Sequence, residues 1–201
     1  MEIWLIRHGE CENRAEHNYN EDMGIYDPKL TEKGKGQAEK LAEVLRGTQF
    51  DAIYSSDLTR AVETADALAC TCPAERIERE EFREIDIGDL EEKSWEHYPD
   101  IYEKWKRHEE DIAFPGGECG SDVWTRVEKV LIEIVREDYK RVAIVTHGGV
   151  IMSTVCGILG LPQQKRFMLG HPIENCSVTR LLYEDGKIYL KEMNKMFTLD
   201  E

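Results

Sequence analysis

Two short apolar runs in this chain end in the same way, and that constrains the fold more than any other feature. Ile3-Trp4-Leu5-Ile6 leads into Arg7-His8-Gly9-Glu10, and Val142-Ala143-Ile144-Val145 leads into Thr146-His147-Gly148-Gly149. An apolar run bounded by glycine reads as a buried strand. Both histidines therefore stand at the carboxyl ends of strands, the edge where open α/β sheets place their binding crevice. Gly9 permits a sharp turn and a close backbone approach to a ligand.

The segments between these runs supply the helices that such a sheet needs. From Thr31, Ala38, Leu41, Ala42 and Leu45 fall at helical spacing and Gly47 is a natural stop, while Gly34 and Gly36 point to close packing or a ragged first turn. Phe50 to Tyr54 reads as a strand, Ser55-Ser56 as a turn and helix cap, and Leu58, Ala61, Val62, Ala65 and Leu68 as the buried stripe of the next helix. Arg60, in the first turns of that helix, is delivered to the same edge as His8, where a helix amino terminus also favours an anion. Phe82 to Gly88 alternates apolar and polar residues and predicts a strand or extended segment. Trp95, Tyr98, Ile101, Tyr102 and Trp105 predict an amphipathic helix whose other face carries Lys104, Lys106 and Arg107, either a packed element or a lid over an anionic substrate. A helix is expected from about Ser121 to Glu137, another from about Val150 to Leu159, and Cys176–Tyr183 with Lys187–Met193 predict a closing hairpin around Asp185-Gly186. Strands alternating with helices give an α/β fold, a three-layer sandwich with a mostly parallel central sheet flanked by helices.

Composition narrows the partners. The 201 residues suit one domain spanning 1–201, at about 100–200 residues per domain. No stretch approaches the roughly 20 apolar residues of a membrane span, and Met1-Glu2-Ile3-Trp4 lacks the basic and apolar regions of a signal peptide, so a cytoplasmic location is expected, without membrane contact. A net charge of −15 disfavours nucleic acid and makes any anion site a local one. The six cysteines are scattered, with Cys70 and Cys72 spaced C-x-C, which predicts reduced thiols and no metal site; Cys11 is the one placed in the opening loop.

Two strand-end histidines, two arginines and a carboxylate in one crevice suit phosphoryl transfer. Arginine matches phosphate in charge and in its planar fork of donors. A neutral imidazole can attack phosphorus while a second, protonated one donates to the phosphoryl oxygens. A glutamic acid can protonate the leaving oxygen.

The order of motifs resembles the histidine phosphatase superfamily, also called the phosphoglycerate mutase-like family. The resemblance runs through Arg7-His8-Gly9-Glu10, Leu30-Thr31-Glu32-Lys33-Gly34, Tyr54-Ser55-Ser56-Asp57-Leu58 with Arg60, Arg83-Glu84, Pro115-Gly116-Gly117-Glu118, Thr146-His147-Gly148-Gly149 and Asn175-Cys176-Ser177-Val178. It implies that His8 is the phosphorylated nucleophile, that Arg7, Arg60 and His147 bind phosphate, that Glu84 is the proton donor, and that no metal or cofactor takes part. Two positions depart from the family pattern. Arg14 stands where an asparagine is usual, leaving Asn13, one residue earlier, as a candidate phosphate contact, and Met152 stands where many members have arginine. The short stretch Glu91 to Phe114 favours a phosphatase acting on a small phosphorylated metabolite. The alternatives are a phosphoglycerate mutase, which would use a 2,3-bisphosphoglycerate primer and could employ Lys104, Lys106 and Arg107 as a second anion site, and a phosphate-binding protein that does not turn over.

Overall fold

The structure, a computed structural model, describes residues 1–12, 19–20, 25–170 and 172–197, with the side chains of 19, 20, 25 and 26 set aside. In chain order the elements are β1 (Glu2–Arg7), the short strands β2 (Tyr19–Asn20) and β3 (Ile25–Tyr26), α1 (Glu32–Val44), β4 (Ala52–Ser55), α2 (Thr59–Thr71), β5 (Glu75–Glu78), α3 (Pro99–Arg107), α4 (Gly120–Ile134), β6 (Arg141–Thr146), α5 (Gly148–Ile158), β7 (Val178–Glu184) and β8 (Lys187–Lys195).

Strand alternation builds the layers. Ile3 and Leu5 of β1, with Val142 and Ile144 of β6, face a core shared with Val123, Val127 and Leu131 of α4 and Ile151 of α5. Their neighbours Trp4, Ile6, Ala143 and Val145 face the opposite core, shared with Leu41 of α1 and Ala61, Ala65 and Leu68 of α2. A strand buried on both faces must be apolar at every position, which is why these runs do not alternate in sequence. The sheet order is β5-β4-β6-β1-β7-β8. β5, β4, β6 and β1 are mutually parallel, β7 is antiparallel to β1, and β8 is antiparallel to β7. Five of the six strands thus share one direction, and the α/β sandwich with its mostly parallel sheet is as the sequence predicts.

The register sets the site. Arg7 pairs with Thr146, so His8 and His147 are the next residues along adjacent strands. β4 lies on the other side of β6 and ends at Ser55, three residues before the N-cap of α2. Three adjacent strands therefore deliver their carboxyl ends to one crevice.

Several local expectations are corrected. Ser56 does not cap α2: its hydroxyl accepts the Leu58 N–H, and Asp27, from the loop before α1, takes the Thr59 N–H (2.8 Å) and hydroxyl (2.6 Å) instead. Of the strand or extended segment expected at Phe82–Gly88 the structure forms no strand: Phe82 closes a 3-10 turn, residues 84–87 lie outside regular structure, and the strand beside β4 is Glu75–Glu78. The alternation there reflects Phe82 and Ile85 reaching the core from a coil. Pro99 starts α3, so the Trp95–Trp105 stretch is a 3-10 turn at Trp95–His97 followed by a separate helix. Its aromatic stripe packs: Trp95 lies 5.4 Å from Trp105 and 5.9 Å from Phe114, ring centre to ring centre, and Trp105 meets Phe167 edge-on. Close packing accounts for Gly34, where a Cβ would fall 1.9 Å from the Glu10 carbonyl oxygen, but not for Gly36, which faces open space.

Candidate active site

His8 follows β1 in a loop bound on both sides. Its N–H donates to the Thr146 carbonyl, its carbonyl accepts from the Asn175 side-chain amide (2.9 Å), and the Gly9 N–H donates to the Thr64 hydroxyl on α2. The imidazole Nδ1 is 2.6 Å from the Gly9 carbonyl oxygen. A carbonyl only accepts, so Nδ1 carries the proton and Nε2 holds the lone pair. The side chain is 4 % exposed. Burial first, then the Arg60 and Arg7 guanidiniums, pushes its pKa down to about 3 against the opposing bond to Gly9. Such a ring is neutral at physiological pH, as a nucleophile must be.

His147, fully buried, lies beside it with ring centres 5.0 Å apart. Burial, Arg60 and His8 hold its pKa well below the ordinary imidazole value. Neither of its ring nitrogens has a hydrogen-bond partner among the described residues. A buried polar pair left unpaired by the protein is costly and marks a place for a ligand group.

The arginines are set by backbone and carboxylate contacts. Arg7 donates through Nη1 to the Ile173 carbonyl, and its Nε has no partner among the described residues. Arg60, the second residue of α2 and 7 % exposed, has its Nη1 3.8 Å from Asp27 Oδ1. Asp27 thus both caps α2 and faces Arg60. Burial raises the Cys11 thiol pKa despite these nearby cations, which argues against thiolate chemistry in the opening loop.

Glu84 approaches from the segment after the 3-10 turn. Its Oε1 accepts the Ile85 N–H (2.9 Å), and its Oε2 lies 3.4 Å from the Gly149 N–H at the start of α5. A Cβ on residue 149 would fall 2.5 Å from Glu84 Oε1, so a larger residue here would displace the carboxylate from this position. Arg126 of α4 holds the segment: it donates to the carbonyls of Glu81 (2.5 Å) and Glu84 (3.3 Å) and pairs in bidentate fashion with Glu118. Glu118 in turn accepts the Asp86 N–H. An open cavity of about 390 Å³ adjoins this edge, reached from Arg60 and Glu84.

A sequence model of the histidine phosphatase superfamily (branch 1) matches residues 3–196. The chain belongs to the histidine phosphatase superfamily. A probable phosphoglycerate mutase of Enterobacter sp. (strain 638) is 33 % identical over 191 residues, covering 92 % of this chain and 86 % of the relative. Phosphoserine phosphatase 1 of Hydrogenobacter thermophilus is 31 % identical over 199 residues, covering 96 % and 92 %. The solved native structure of a mycobacterial glucosyl-3-phosphoglycerate phosphatase superposes with a TM-score of 0.83 at 27 % identity, covering 97 % of this chain and 99 % of that one.

Within this histidine phosphatase superfamily member the strand edge gathers Arg7, His8, Arg60, Glu84 and His147. Asn13 and Arg14 lie outside the described residues, as do His17 and His171. Met152 is buried in the core. His97 is exposed and His108 stacks on Phe167. Lys104, Lys106 and Arg107 are exposed on α3, and none lines the cavity. Sequence reasoning missed Asp27 and Arg126, and it gave no role to Thr64, Asn175 or Glu118. The last three lay within matched motifs, but Arg126 carried no signal beyond a charge on a helix.

Proposed function

We propose that this protein hydrolyses small phosphomonoesters through a phosphohistidine formed on His8, with no bound metal or cofactor needed. The observation that carries this reading is the state of His8: buried, neutral between two guanidiniums, with Nδ1–H held by the Gly9 carbonyl and Nε2 left as the lone pair. Arg7 and Arg60 take the phosphoryl oxygens, and Nε2 attacks phosphorus as the ester P–O bond breaks. Glu84 gives the leaving oxygen its proton. The resulting carboxylate then removes a proton from water, whose oxygen attacks phosphorus and breaks the P–N bond. His147 is neutral in its protein surroundings, and a phosphoryl dianion beside it supplies the charge that favours its imidazolium, which donates to the transition state.

The cavity beside Glu84 supports hydrolysis over mutase chemistry. Its described lining holds six carboxylates, Glu80, Glu81, Glu84, Asp86, Glu91 and Glu118, against the three guanidiniums of Arg60, Arg83 and Arg126. Arg83 is engaged with Asp57, Arg126 pairs with Glu118, and Glu81 pairs with Arg79, so the rest of the lining stays acidic. A bisphosphorylated intermediate needs a second anion site, whereas this wall favours a neutral or amine-bearing alcohol. The probable phosphoglycerate mutase among the relatives keeps the mutase reading worth testing.

The test is phosphate release by chelator-treated protein from a panel including phosphoethanolamine, phosphoserine, glycerol phosphate and 3-phosphoglycerate. Interconversion of 3- and 2-phosphoglycerate is followed in parallel, with and without 2,3-bisphosphoglycerate. Hydrolysis is expected, weakest for 3-phosphoglycerate, which adds a carboxylate to its phosphate, with His8→Ala lowering kcat by about a thousandfold or more. Primer-dependent interconversion with little free phosphate would replace the proposal with a mutase, and silence in both assays with a phosphate-binding protein.

A further inference from the structure

Asn194, near the end of β8, has a positive φ of 55°, a backbone state that asparagine tolerates better than most residues. Its N–H donates to the Thr179 hydroxyl (3.1 Å), and the pairing of β7 with β8 slips in register between Val178 and Arg180 opposite it. This irregularity aims the side chain off the strand and onto the segment that precedes β7. There the Oδ1 accepts the Glu174 N–H (2.7 Å), and Nδ2 donates to the carbonyls of Pro172 (3.0 Å) and Gly170 (3.2 Å). All three bonds of one amide fall on one short stretch of backbone.

That stretch also anchors one of the phosphate-binding arginines. Ile173, between the Pro172 and Glu174 contacts, offers the carbonyl that receives Arg7 Nη1. Asn175 donates to the His8 carbonyl, and the Cys176 N–H donates to the Arg7 carbonyl (3.0 Å). Placement of the Arg7 fork thus depends on where the Ile173 carbonyl lies, and the amides and carbonyls flanking it are fixed by Asn194.

We propose that Asn194 is a positioning residue for Arg7: from the far end of the last strand it holds the Ile173 carbonyl that orients the guanidinium toward the transferring phosphoryl group. This rests on the phosphatase reading above. A guanidinium gives its full value to phosphate only when both donors of the fork are aligned, so loss of the Asn194 bonds weakens phosphoryl binding without removing any group that touches substrate.

The experiment compares the wild type with Asn194→Gly, which keeps the left-handed backbone and deletes the three bonds, and Asn194→Asp, which keeps the acceptor and loses both donors. Three quantities are read on the full chain: kcat/KM for an aryl and an alkyl phosphate, the inhibition constant for orthovanadate, and Tm. The glycine variant is expected to lose about tenfold in vanadate affinity and in kcat/KM, by the same factor for both substrates, because Arg7 acts on the phosphoryl group and not on the leaving oxygen. The aspartate variant, whose second carboxylate oxygen faces the Gly170 and Pro172 carbonyls, is expected to lose at least as much. An inhibition constant does not depend on how much of the sample is folded, so it separates positioning from a general loss of structure. Unchanged vanadate inhibition in both variants would overturn the proposal, as would a loss that grows with the basicity of the leaving group, which would place the effect at Glu84. If the wild type hydrolyses nothing, the phosphatase reading fails by itself, and calorimetric binding of inorganic phosphate to the same proteins decides the role of Asn194.

Discussion

At the scale of single residues, the site depends on one tautomer and one approach. The Gly9 carbonyl fixes the proton of His8 on Nδ1, and Gly149 admits the Glu84 carboxylate to the start of α5. If Glu84 protonates the leaving oxygen, Glu84→Gln lowers kcat/KM by about a hundredfold for alkyl phosphates and much less for nitrophenyl phosphate, whose leaving group needs no proton. Equal losses across a leaving-group series would remove Glu84 from that role. Arg7, His8, Arg60 and His147 were legible in sequence because each ends or follows a strand or starts a helix next to one, whereas Glu84, in a coil after a 3-10 turn, was legible only through the family resemblance. Arg126, Asn175 and Asn194 were not legible. They act through backbone carbonyls and amides of distant segments, and a sequence does not show which amides will be near.

At the scale of elements, α1 shows how two similar glycines differ in cost. Gly34 touches the Glu10 backbone and in turn lies within 2.5 Å of where a Cβ on Gly9 would sit, so helix and catalytic loop meet backbone to backbone. Gly36, two residues on, meets nothing within 4 Å. Gly34→Ala is expected to destabilise by about 3 kcal/mol and to reduce turnover by displacing the loop that carries His8. Gly36→Ala is expected to stabilise by about 0.5–1 kcal/mol with turnover unchanged. Urea unfolding of both variants checks the pair, and similar midpoints would show that the Glu10 contact does not constrain α1. Edge strand β5 escaped prediction because Glu75-Arg76-Ile77-Glu78 is largely charged, as exposed sheet edges commonly are, and its partner β4 decides its pairing. The cap of α2 escaped because Asp27 is 31 positions before its N-cap residue, Leu58, and only packing brings it there.

For the whole molecule, two buried neutral imidazoles beside arginines make folding sensitive to acid. Above about pH 6.5 neither the folded nor the unfolded chain protonates them. Below it the unfolded chain takes up protons that the folded chain refuses, down to about pH 3 at His8 and with the same sign at His147. Stability is therefore expected to fall from pH 6.5 toward pH 4.5 by up to about 1.4 kcal/mol per pH unit for each histidine. His8→Ala is expected to flatten this slope, as read from urea midpoints at several pH values, and parallel slopes in wild type and variant would mean that His8 protonates in the folded state. The sequence by itself determined the α/β class, the strands at 2–7 and 141–146 and the placement of Arg7, His8, Arg60 and His147 at the crevice, with Glu84 given by the order of its motifs. Burial on both faces demands unbroken apolar runs, and the end of a buried strand places the next residues of the chain at the sheet edge. Only the tertiary structure decided the tautomer of His8, the neutrality of both histidines, the Arg126–Glu118 hold on the Glu84 segment and the reach of Asn194. These depend on which backbone groups come within about 3 Å of each other, and that distance is set by packing between segments far apart in the chain.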